Sequence, residues 1–187
     1  KWKFINKSGS EVFALSKKYS NIPFFKENIA VALLESEKKA FFARRDGVIL
    51  ISLYCENARN FSEGMAAFSL NKKWGFINSK GMLRISEEYN QVNDFSEGFS
   101  AVEKKISENG VETFKWGFID KTGRIAIKIQ FEKAGNFKEG LAKVKKDGKW
   151  GFIDKTGRVV IQCKYEKTGD FNEGFAIVRN GDVNQTI

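Results

Sequence analysis

The stretch that decides the fold reads Lys149-Trp150-Gly151-Phe152-Ile153-Asp154-Lys155-Thr156-Gly157-Arg158. The same ten residues occur without change at Lys115–Arg124. Trp116 and Trp150 are therefore separated by 34 residues. Self-similarity at a fixed period of this length is the sequence signature of a tandem-repeat architecture, in which each copy is one small structural unit.

Three looser copies begin at Lys1, Lys39 and Lys73, and the second of them has Ala40 in the tryptophan column. A second motif accompanies the copies. It reads Phe61-Ser62-Glu63-Gly64, Phe95-Ser96-Glu97-Gly98, Phe137-Lys138-Glu139-Gly140 and Phe171-Asn172-Glu173-Gly174, with Phe25-Lys26-Glu27-Asn28 as a weaker form. The period lengthens to 42 residues between Trp74 and Trp116, where a segment around Ile106–Phe114 is inserted.

Each copy predicts three antiparallel strands. Leu141–Lys145 alternates apolar and polar residues, and Lys149–Ile153 is rich in aromatic and β-branched residues; both features are typical of strands. Lys146-Asp147-Gly148 and Asp154–Gly157 supply turn residues after each of them. A third strand begins at Arg158. Gly151 suits an indole that lies across neighbouring backbone.

The predicted fold is therefore all-β, a tandem array of about five three-stranded antiparallel repeats. A period near 34 residues favours an open, twisted, solenoid-like array, because propeller blades need about 40–45 residues. A closed, propeller-like ring is the alternative, because the chain starts at a second strand and ends with a first one. A single repeat domain is predicted over residues 1–187. Its repeats are predicted at 1–28, 29–64, 65–98, 99–140 and 141–174, with a terminal strand at 175–179.

The Trp-Gly-Phe-Ile-Asp/Asn and Phe-x-Glu-Gly steps resemble those of the bacterial WG repeat family, over essentially the whole chain. The resemblance implies a β-repeat fold and says little about activity, since the family looks like a collection of interaction modules. Two copies depart from it: Lys3 occupies the glycine column of the first copy, and the second copy lacks the Trp-Gly pair.

The composition excludes several kinds of chemistry. The chain has no His and two Cys, Cys55 and Cys163, so histidine-based catalysis and Cys₄ or histidine zinc sites are ruled out. No phosphate-binding glycine motif or calcium loop appears. No apolar run approaches the ~20 residues of a membrane span. We expect no catalytic residue, no metal site, no cofactor and no membrane span.

Residues that recur with the period are expected to be structural. We assign the repeat core to the aromatic columns and a turn-stabilising role to the acidic column, whose carboxylates would accept hydrogen bonds from loop N–H groups. The core residues are Trp2, Trp74, Trp116, Trp150, Phe61, Phe95, Phe137 and Phe171. The acids are Glu63, Glu97, Glu139 and Glu173. A tryptophan ladder that stacks bases or sugars is the alternative for the indoles.

The net charge of +9 is concentrated in residues 114–187, which hold 15 Lys and Arg against 9 Asp and Glu. Repetition places part of this excess at equivalent turns, which predicts a basic ridge for an anionic partner. The candidate residues are Lys121, Arg124, Lys143, Lys145, Lys146, Lys149, Lys155 and Arg158. Solvated edge lysines that block aggregation explain many of them as well.

The leading hypothesis is a binding or scaffolding module that holds a protein partner, or another domain of the same polypeptide, on an extended repeat surface. A binder of nucleic acid or another anionic polymer is the second. The third, a carboxylate-based hydrolase, would need two carboxyl groups about 5–10 Å apart in one cleft, and the sequence singles out no such pair.

Overall fold

The computed structural model describes residues 3–14, 25–34, 37–44 and 49–180. These residues form two compact units, Lys1–Glu88 and Tyr89–Ile187. The described residues contain β-strands and no α-helix. The strands of the first unit are β1 (Lys3–Ile5), β2 (Glu11–Ala14), β3 (Phe25–Lys26), β4 (Ile29–Leu34), β5 (Lys39–Arg44), β6 (Ile49–Tyr54), β7 (Asn57–Ala58), β8 (Met65–Leu70), β9 (Lys73–Asn78) and β10 (Leu83–Tyr89).

The second unit continues the same series. Its strands are β11 (Gln91–Val92), β12 (Phe99–Glu108), β13 (Val111–Asp120), β14 (Ile125–Phe131), β15 (Lys133–Lys138), β16 (Leu141–Lys146), β17 (Lys149–Asp154), β18 (Val159–Tyr165), β19 (Lys167–Thr168) and β20 (Val178–Arg179). The expected all-β, tandem antiparallel architecture is confirmed.

Each complete sheet has four strands in chain order, and each is open, with an edge strand on either side. These sheets are β3-β4-β5-β6, β7-β8-β9-β10, β11-β12-β13-β14 and β15-β16-β17-β18. Two-stranded sheets, β1-β2 and β19-β20, lie at the two ends of the chain. Within each unit the sheets follow one another as an open series.

Three strands per repeat were predicted, whereas each complete sheet has four. The additional strand is the short segment before the Phe-x-Glu-Gly turn, which pairs with the strand after that turn; Ala58, for example, pairs with Phe68. A strand of two residues, such as Asn57–Ala58, is too short to show alternation in the sequence. In β15 the glycine and asparagine of Lys133–Lys138 hide the strand, because both residue types are depleted in strands.

The glycine after each tryptophan is required for a reason that differs from the predicted one. The fourth strand of the sheet passes close over this position. A Cβ atom added to Gly117 would lie 2.7 Å from the Ile127 carbonyl oxygen, and one added to Gly151 would lie 2.4 Å from the Ile161 carbonyl oxygen. The space is therefore taken by backbone of the neighbouring strand rather than by the indole.

This close approach comes from a bulge in the fourth strand of the sheet. Trp116 pairs with Phe131, whereas Phe118 pairs with Ile127, so that a two-residue step on β13 faces a four-residue step on β14. The sheet β15–β18 has the same irregularity. An inserted bend of this kind presses the bulged backbone toward its partner strand, which only a residue without a side chain tolerates.

The second copy serves as a natural comparison, because it lacks the Trp-Gly pair. Here Ala40 pairs with Leu53 and Phe42 pairs with Ile51, so two residues on β5 face two on β6. The wide bulge is absent from this part of the pairing. Trp-Gly and the bulge therefore occur together.

The core of each unit is built from the repeat columns. Phe42, Phe61 and Ile77 lie in the core of the first unit, which includes residues of two successive sheets. Phe118, Phe137 and Ile153 occupy the corresponding places in the second unit. Cys55 fills an aromatic column and is fully buried. Successive sheets thus share one core within each unit.

We expect Gly117→Ala to lower the free energy of unfolding by about 2 kcal/mol, the usual scale for overpacking a close-packed site. The new methyl group would press on backbone atoms of Ile127 and Ile129, which cannot rotate away. Gly169→Ala is the matched control, since its Cβ atom would meet nothing closer than 3.9 Å. Urea denaturation of both variants measures the difference, and equal losses would contradict the explanation.

Candidate functional site

The Phe-x-Glu-Gly motif forms a two-residue hairpin turn whose glutamate and glycine both have positive φ. The angles are 52° for Glu139 and 81° for Gly140. The flanking residues close the turn with backbone hydrogen bonds: in the first unit, the N–H groups of Ser62 and Met65 each donate to the other's carbonyl oxygen. Positive φ at both central residues is the type I′ geometry that suits the twist of a hairpin.

The acidic column links each turn to the next one within a unit. The Glu97 carboxylate accepts a hydrogen bond from the Gly140 N–H at 3.0 Å, and the Glu139 carboxylate accepts one from the Gly174 N–H at 2.8 Å. In the first unit the Glu27 carboxylate accepts from the Glu63 and Gly64 N–H groups. The acids thus hold loop N–H groups, which is the contact expected of a structural residue.

A phenylalanine pair accompanies each of these links. The ring of Phe118 lies 4.9 Å from that of Phe137, and Phe152 lies 4.8 Å from Phe171, with the rings inclined by 54° and 68°. The turn phenylalanines Phe61, Phe95 and Phe137 are buried almost completely and Phe171 is partly buried. These contacts join one sheet to the following turn.

Each described tryptophan has a cation over its ring. The Arg59 guanidinium lies 4.6 Å from the Trp74 ring centre, and Lys143 Nζ lies 6.0 Å from that of Trp150. Trp116 is buried, and Trp74 and Trp150 are partly buried. Trp2 lies outside the described residues.

The indole N–H of Trp116 forms a hydrogen bond with a buried carboxylate. Its Nε1–H donates to Oε1 of Glu103 at 2.9 Å, and both side chains are buried. Lys133 Nζ lies 3.9 Å from the same Glu103 oxygen and 5.7 Å from the Trp116 ring centre. The sequence analysis missed Glu103, because this acid occurs in one copy only.

Five of the eight predicted basic residues lie beside acids. Lys155 pairs with Glu97 at 3.0 Å and Lys143 with Asp170 at 3.1 Å. Arg158 lies 3.4 Å from Asp154, and Lys149 lies 3.9 Å from Glu166. Arg124 is exposed beside Asp120. The hydrogen bond from the Thr122 hydroxyl, with a smaller contribution from the Arg124 charge, lowers the pKa of the Asp120 carboxyl group. These local pairings reduce the positive field that the composition predicts.

The basic residues also divide between two ends of the sheet. Lys145, Lys146 and Lys149 lie at the β16–β17 hairpin, where Lys146 pairs with Lys149 across the strands. Lys155 and Arg158 follow the other end of β17, roughly 17 Å away at 3.4 Å per residue. Lys121 and Arg124 occupy the equivalent turn after β13. The structure therefore does not gather the eight residues into one patch.

The segment that is inserted into the repeat protrudes from its sheet as a hairpin. The hairpin arm, residues Lys104–Lys115, comprises the ends of β12 and β13 and a turn at Asn109-Gly110. It is the insertion that lengthens the period. Val111 and Phe114 are 62% and 51% exposed there. The sequence analysis located this insertion and assigned no function to it.

Comparison with protein families decides the identity of the repeats. The model for the WG containing repeat matches residues 42–74, 74–105, 116–150 and 150–183, which together make up more than half of the chain. The chain belongs to the WG repeat family. No curated protein matches the sequence.

The third turn is held by an Asp or Asn in the WG repeats that carry one at this position. Oδ1 of Asp154 accepts hydrogen bonds from the Thr156 hydroxyl and from the Thr156 and Arg158 N–H groups. The Thr156 hydroxyl bond, with the two N–H bonds, lowers the pKa of Asp154 below its ordinary value of 3.8. Asn78 holds the same turn in its own repeat, accepting from the Lys80 and Met82 N–H groups at 3.0 Å.

The cysteine thiols of these WG repeats have pKa values above the ordinary one. Burial raises the pKa of the Cys55 thiol to about 11, and burial also raises the pKa of Cys163. Among the residues described, no three Asp, Glu, Cys or His side chains converge as a metal ion would need. The described part of the chain has no helix long and apolar enough to cross a membrane.

Asp154→Asn should leave the fold intact near neutral pH, as Asn78 shows, and should make unfolding less sensitive to acid. A folded-state pKa below the ordinary 3.8 means that the carboxylate stabilises the fold above that value. This contribution is lost as pH falls through the lower folded-state pKa. Urea midpoints measured at neutral pH and below pH 3.8 check the expectation.

The reciprocal variant, Asn78→Asp, is the matched control and should make unfolding more sensitive to acid. Acid profiles that match the unsubstituted protein for both variants would show that these turns carry no pH dependence.

Proposed function

We propose that this chain is a non-enzymatic interaction module that binds a protein partner, or another domain of its own polypeptide, and that the hairpin arm makes the principal contact. The observation that carries the proposal is the exposure of Phe114 and Val111 on the arm. Aromatic residues are enriched at protein interfaces, and an exposed aromatic side chain on a protruding element is suited to fill a pocket on a partner.

The backbone of the arm supports the same reading. The fourth strand, β14, pairs with β13 from Trp116 onward, and the first strand, β11, pairs with β12 at Val102 and Glu103. The arm therefore extends past both neighbours as a two-stranded ribbon. A strand edge of this kind can take up an extended peptide by β-addition, in which main-chain hydrogen bonds supply affinity and side chains supply specificity.

The side chains of the arm mix charge with apolar surface. Lys105 and Phe114 face each other across the strands, and Lys105 also pairs with Glu112. A two-stranded ribbon alone is marginal in water, so such cross-strand pairs help to hold its shape before a partner binds. A pre-shaped contact surface lowers the entropy cost of association.

We propose that the chain has no enzymatic activity, because its cysteine and carboxylate groups are not in a reactive state. The Cys55 thiol has a pKa raised to about 11, so it is not a thiolate at neutral pH. The acids Glu97 and Glu139 are engaged with loop N–H groups. Turn-holding carboxylates that recur in every copy are poor candidates for the single asymmetric pair that hydrolysis requires.

The ion pairs favour a protein over an anionic polymer as the partner. Nucleic-acid binding depends on cations that are available to neutralise phosphates. Lys143, Lys149 and Lys155 lie within 3.9 Å of a carboxylate oxygen, and their charges are divided between the two ends of the sheet. The polymer-binding alternative is retained as an outcome of the test.

We expect Phe114→Asp to abolish retention of the partner, because the substitution removes the apolar anchor and adds charge at the contact. The measurement is affinity capture from a lysate of the source cells on the immobilised 187-residue chain. Leu83→Asp is the matched control, since Leu83 is similarly exposed on a strand outside the arm. It should retain the same protein as the unsubstituted chain.

Treatment of the lysate with nuclease, together with a salt series, separates the alternatives. A protein kept by the Leu83 variant and lost by the Phe114 variant, after nuclease treatment, supports the proposal. Retention that disappears with nuclease and falls steeply with salt would favour the polymer binder instead. Equal retention by both variants would overturn the role of the arm.

A further inference from the structure

The hairpin arm has an unpaired edge along the outer side of β12. The first strand of the sheet, β11, pairs with β12 at Val102 and Glu103 and ends there. From Lys104 to Glu108, β12 pairs with β13 alone, within the part of the chain that the structure describes. We propose that this edge pairs with the same edge of a second copy, antiparallel about Ile106, and so joins two chains as a dimer.

The backbone of the edge is oriented to receive another strand. The Glu103 carbonyl oxygen accepts a hydrogen bond from the Asn90 N–H, on the side of β11. Because the N–H and C=O groups of a strand alternate between its two sides, those of Lys105 and Ser107 point to this same side. A row of such groups at the edge of a sheet is a template for pairing with another chain.

Antiparallel pairing about Ile106 uses these backbone groups. Lys105 of each chain then lies opposite Ser107 of the other, and each of these pairs exchanges both of its main-chain hydrogen bonds. Ile106 lies opposite Ile106 of the second copy, between the two pairs. The outermost residues of the edge, Lys104 and Glu108, face each other from chain to chain at both of its ends.

Charge complementarity identifies the second copy as the partner. Lys104 of each chain meets Glu108 of the other, so opposite charges face each other twice. These positions and Ile106 are the non-hydrogen-bonded ones, where Cα atoms approach to about 4.5 Å and side chains lie closest. Opposite charges and apolar side chains that face each other there stabilise a strand pair. An edge that complements itself is what a two-fold interface requires.

Other registers of the same edge lose this match. Pairing centred on Lys105 would bring that lysine opposite its own copy, and like charges directly opposite each other are destabilising. Pairing centred on Ser107 would place Glu108 opposite Ile106. The register about Ile106 is therefore the one that the charges select.

The outer edge of β13 is less suited to self-pairing. Antiparallel pairing about Thr113 would place Val111 opposite Lys115 and Glu112 opposite Phe114. No acid would face a base there. The β12 edge is therefore the side of the arm that fits a second copy.

The length of the free edge also fits the pairing. It begins at Lys104, one residue after the last pair of β11, and ends at Glu108, one residue before the turn at Asn109-Gly110. The strand β11 can thus keep its own pairs in the dimer. Lys104 is positioned at the base of the arm, where its Nζ lies 5.7 Å from the Tyr89 ring centre, and Glu108 is exposed near the tip.

The dimer does not rest on the proposed function, because Phe114 belongs to β13 and the dimer uses the outer edge of β12. Pairing of two ribbons gives four strands, and a sheet of more than two strands is more stable in water than a lone ribbon. The edge is short, so the association should be weak. It should weaken further at high salt, which screens exposed charges.

Exchanging the charges tests the pairing. Lys104→Glu places a carboxylate opposite Glu108 of the second copy, and Glu108→Lys places an ammonium group opposite Lys104. Sedimentation equilibrium on the 187-residue chain at low salt, from low to high micromolar concentration, measures the mass. Lys128→Glu is the matched control, because Lys128 is exposed on β14 outside the arm. Circular dichroism checks that every variant is folded.

The unsubstituted chain and the Lys128 variant should approach the mass of two chains and go no further, because a two-fold interface is closed. Each arm variant alone should dimerise more weakly by roughly tenfold or more, since two repulsive pairs replace two attractive ones. An equimolar mixture of the two arm variants should regain the dimer, because residues 104 and 108 then carry opposite charges at both contacts.

Single-chain mass for the unsubstituted chain at every concentration would overturn the proposal. So would arm variants that dimerise as well as the unsubstituted chain, or a mixture that associates no better than either variant alone. Phe114 is unchanged in all of these variants, so they should still capture the protein partner. Failure of the dimer and failure of the proposed function are thus observed separately.

Discussion

The contact between a phenylalanine of one sheet and the turn phenylalanine of the next is the constraint on which the rest of this structure depends. The rings of Phe118 and Phe137 meet at 4.9 Å, and both are fully buried. Because the second ring belongs to the following repeat, no sheet buries its own face. We therefore expect successive sheets within a unit to stabilise each other by stacking.

The turn that carries this phenylalanine is strained, and its acid offsets the strain. A non-glycine residue with positive φ costs roughly 1–2 kcal/mol, and Glu139 has a φ of 52°. An asparagine or glycine would avoid the penalty. Only a longer carboxylate spans the distance to the next turn, however, where Glu139 accepts from the Gly174 N–H. The recurring glutamate thus has a strained backbone, and its carboxylate forms a link between two repeats.

The proposed binding function is assigned to a place where the period fails, because the periodic residues are engaged in contacts between and within sheets. The hairpin arm is such a place. The arm exposes Phe114. In the periodic part, by contrast, cations such as Lys155 are paired with acids and are occupied in holding repeats together.

Much of the architecture could be predicted from the repeat alone. The spacing of the motifs gave an all-β tandem array, and the alternation in Leu141–Lys145 placed the strand β16 correctly. The family resemblance is confirmed by the match to the WG containing repeat. The fourth strand was missed, because two residues such as Asn57–Ala58 carry no periodic signal and form a strand only when the neighbouring strand offers hydrogen bonds.

The sequence by itself determined which residues recur in step with the period, and this recurrence can be read without reference to any contact. Tertiary structure decided what each of them does. It showed that Gly117 is needed for a bulged strand rather than for an indole, and that Glu97 reaches a turn 43 residues later. It also divided the basic residues between two ends of a sheet. The reason is physical: spacing along the chain fixes the order of the strands, whereas bulges, side-chain reach and ion pairing depend on distances between residues far apart in sequence.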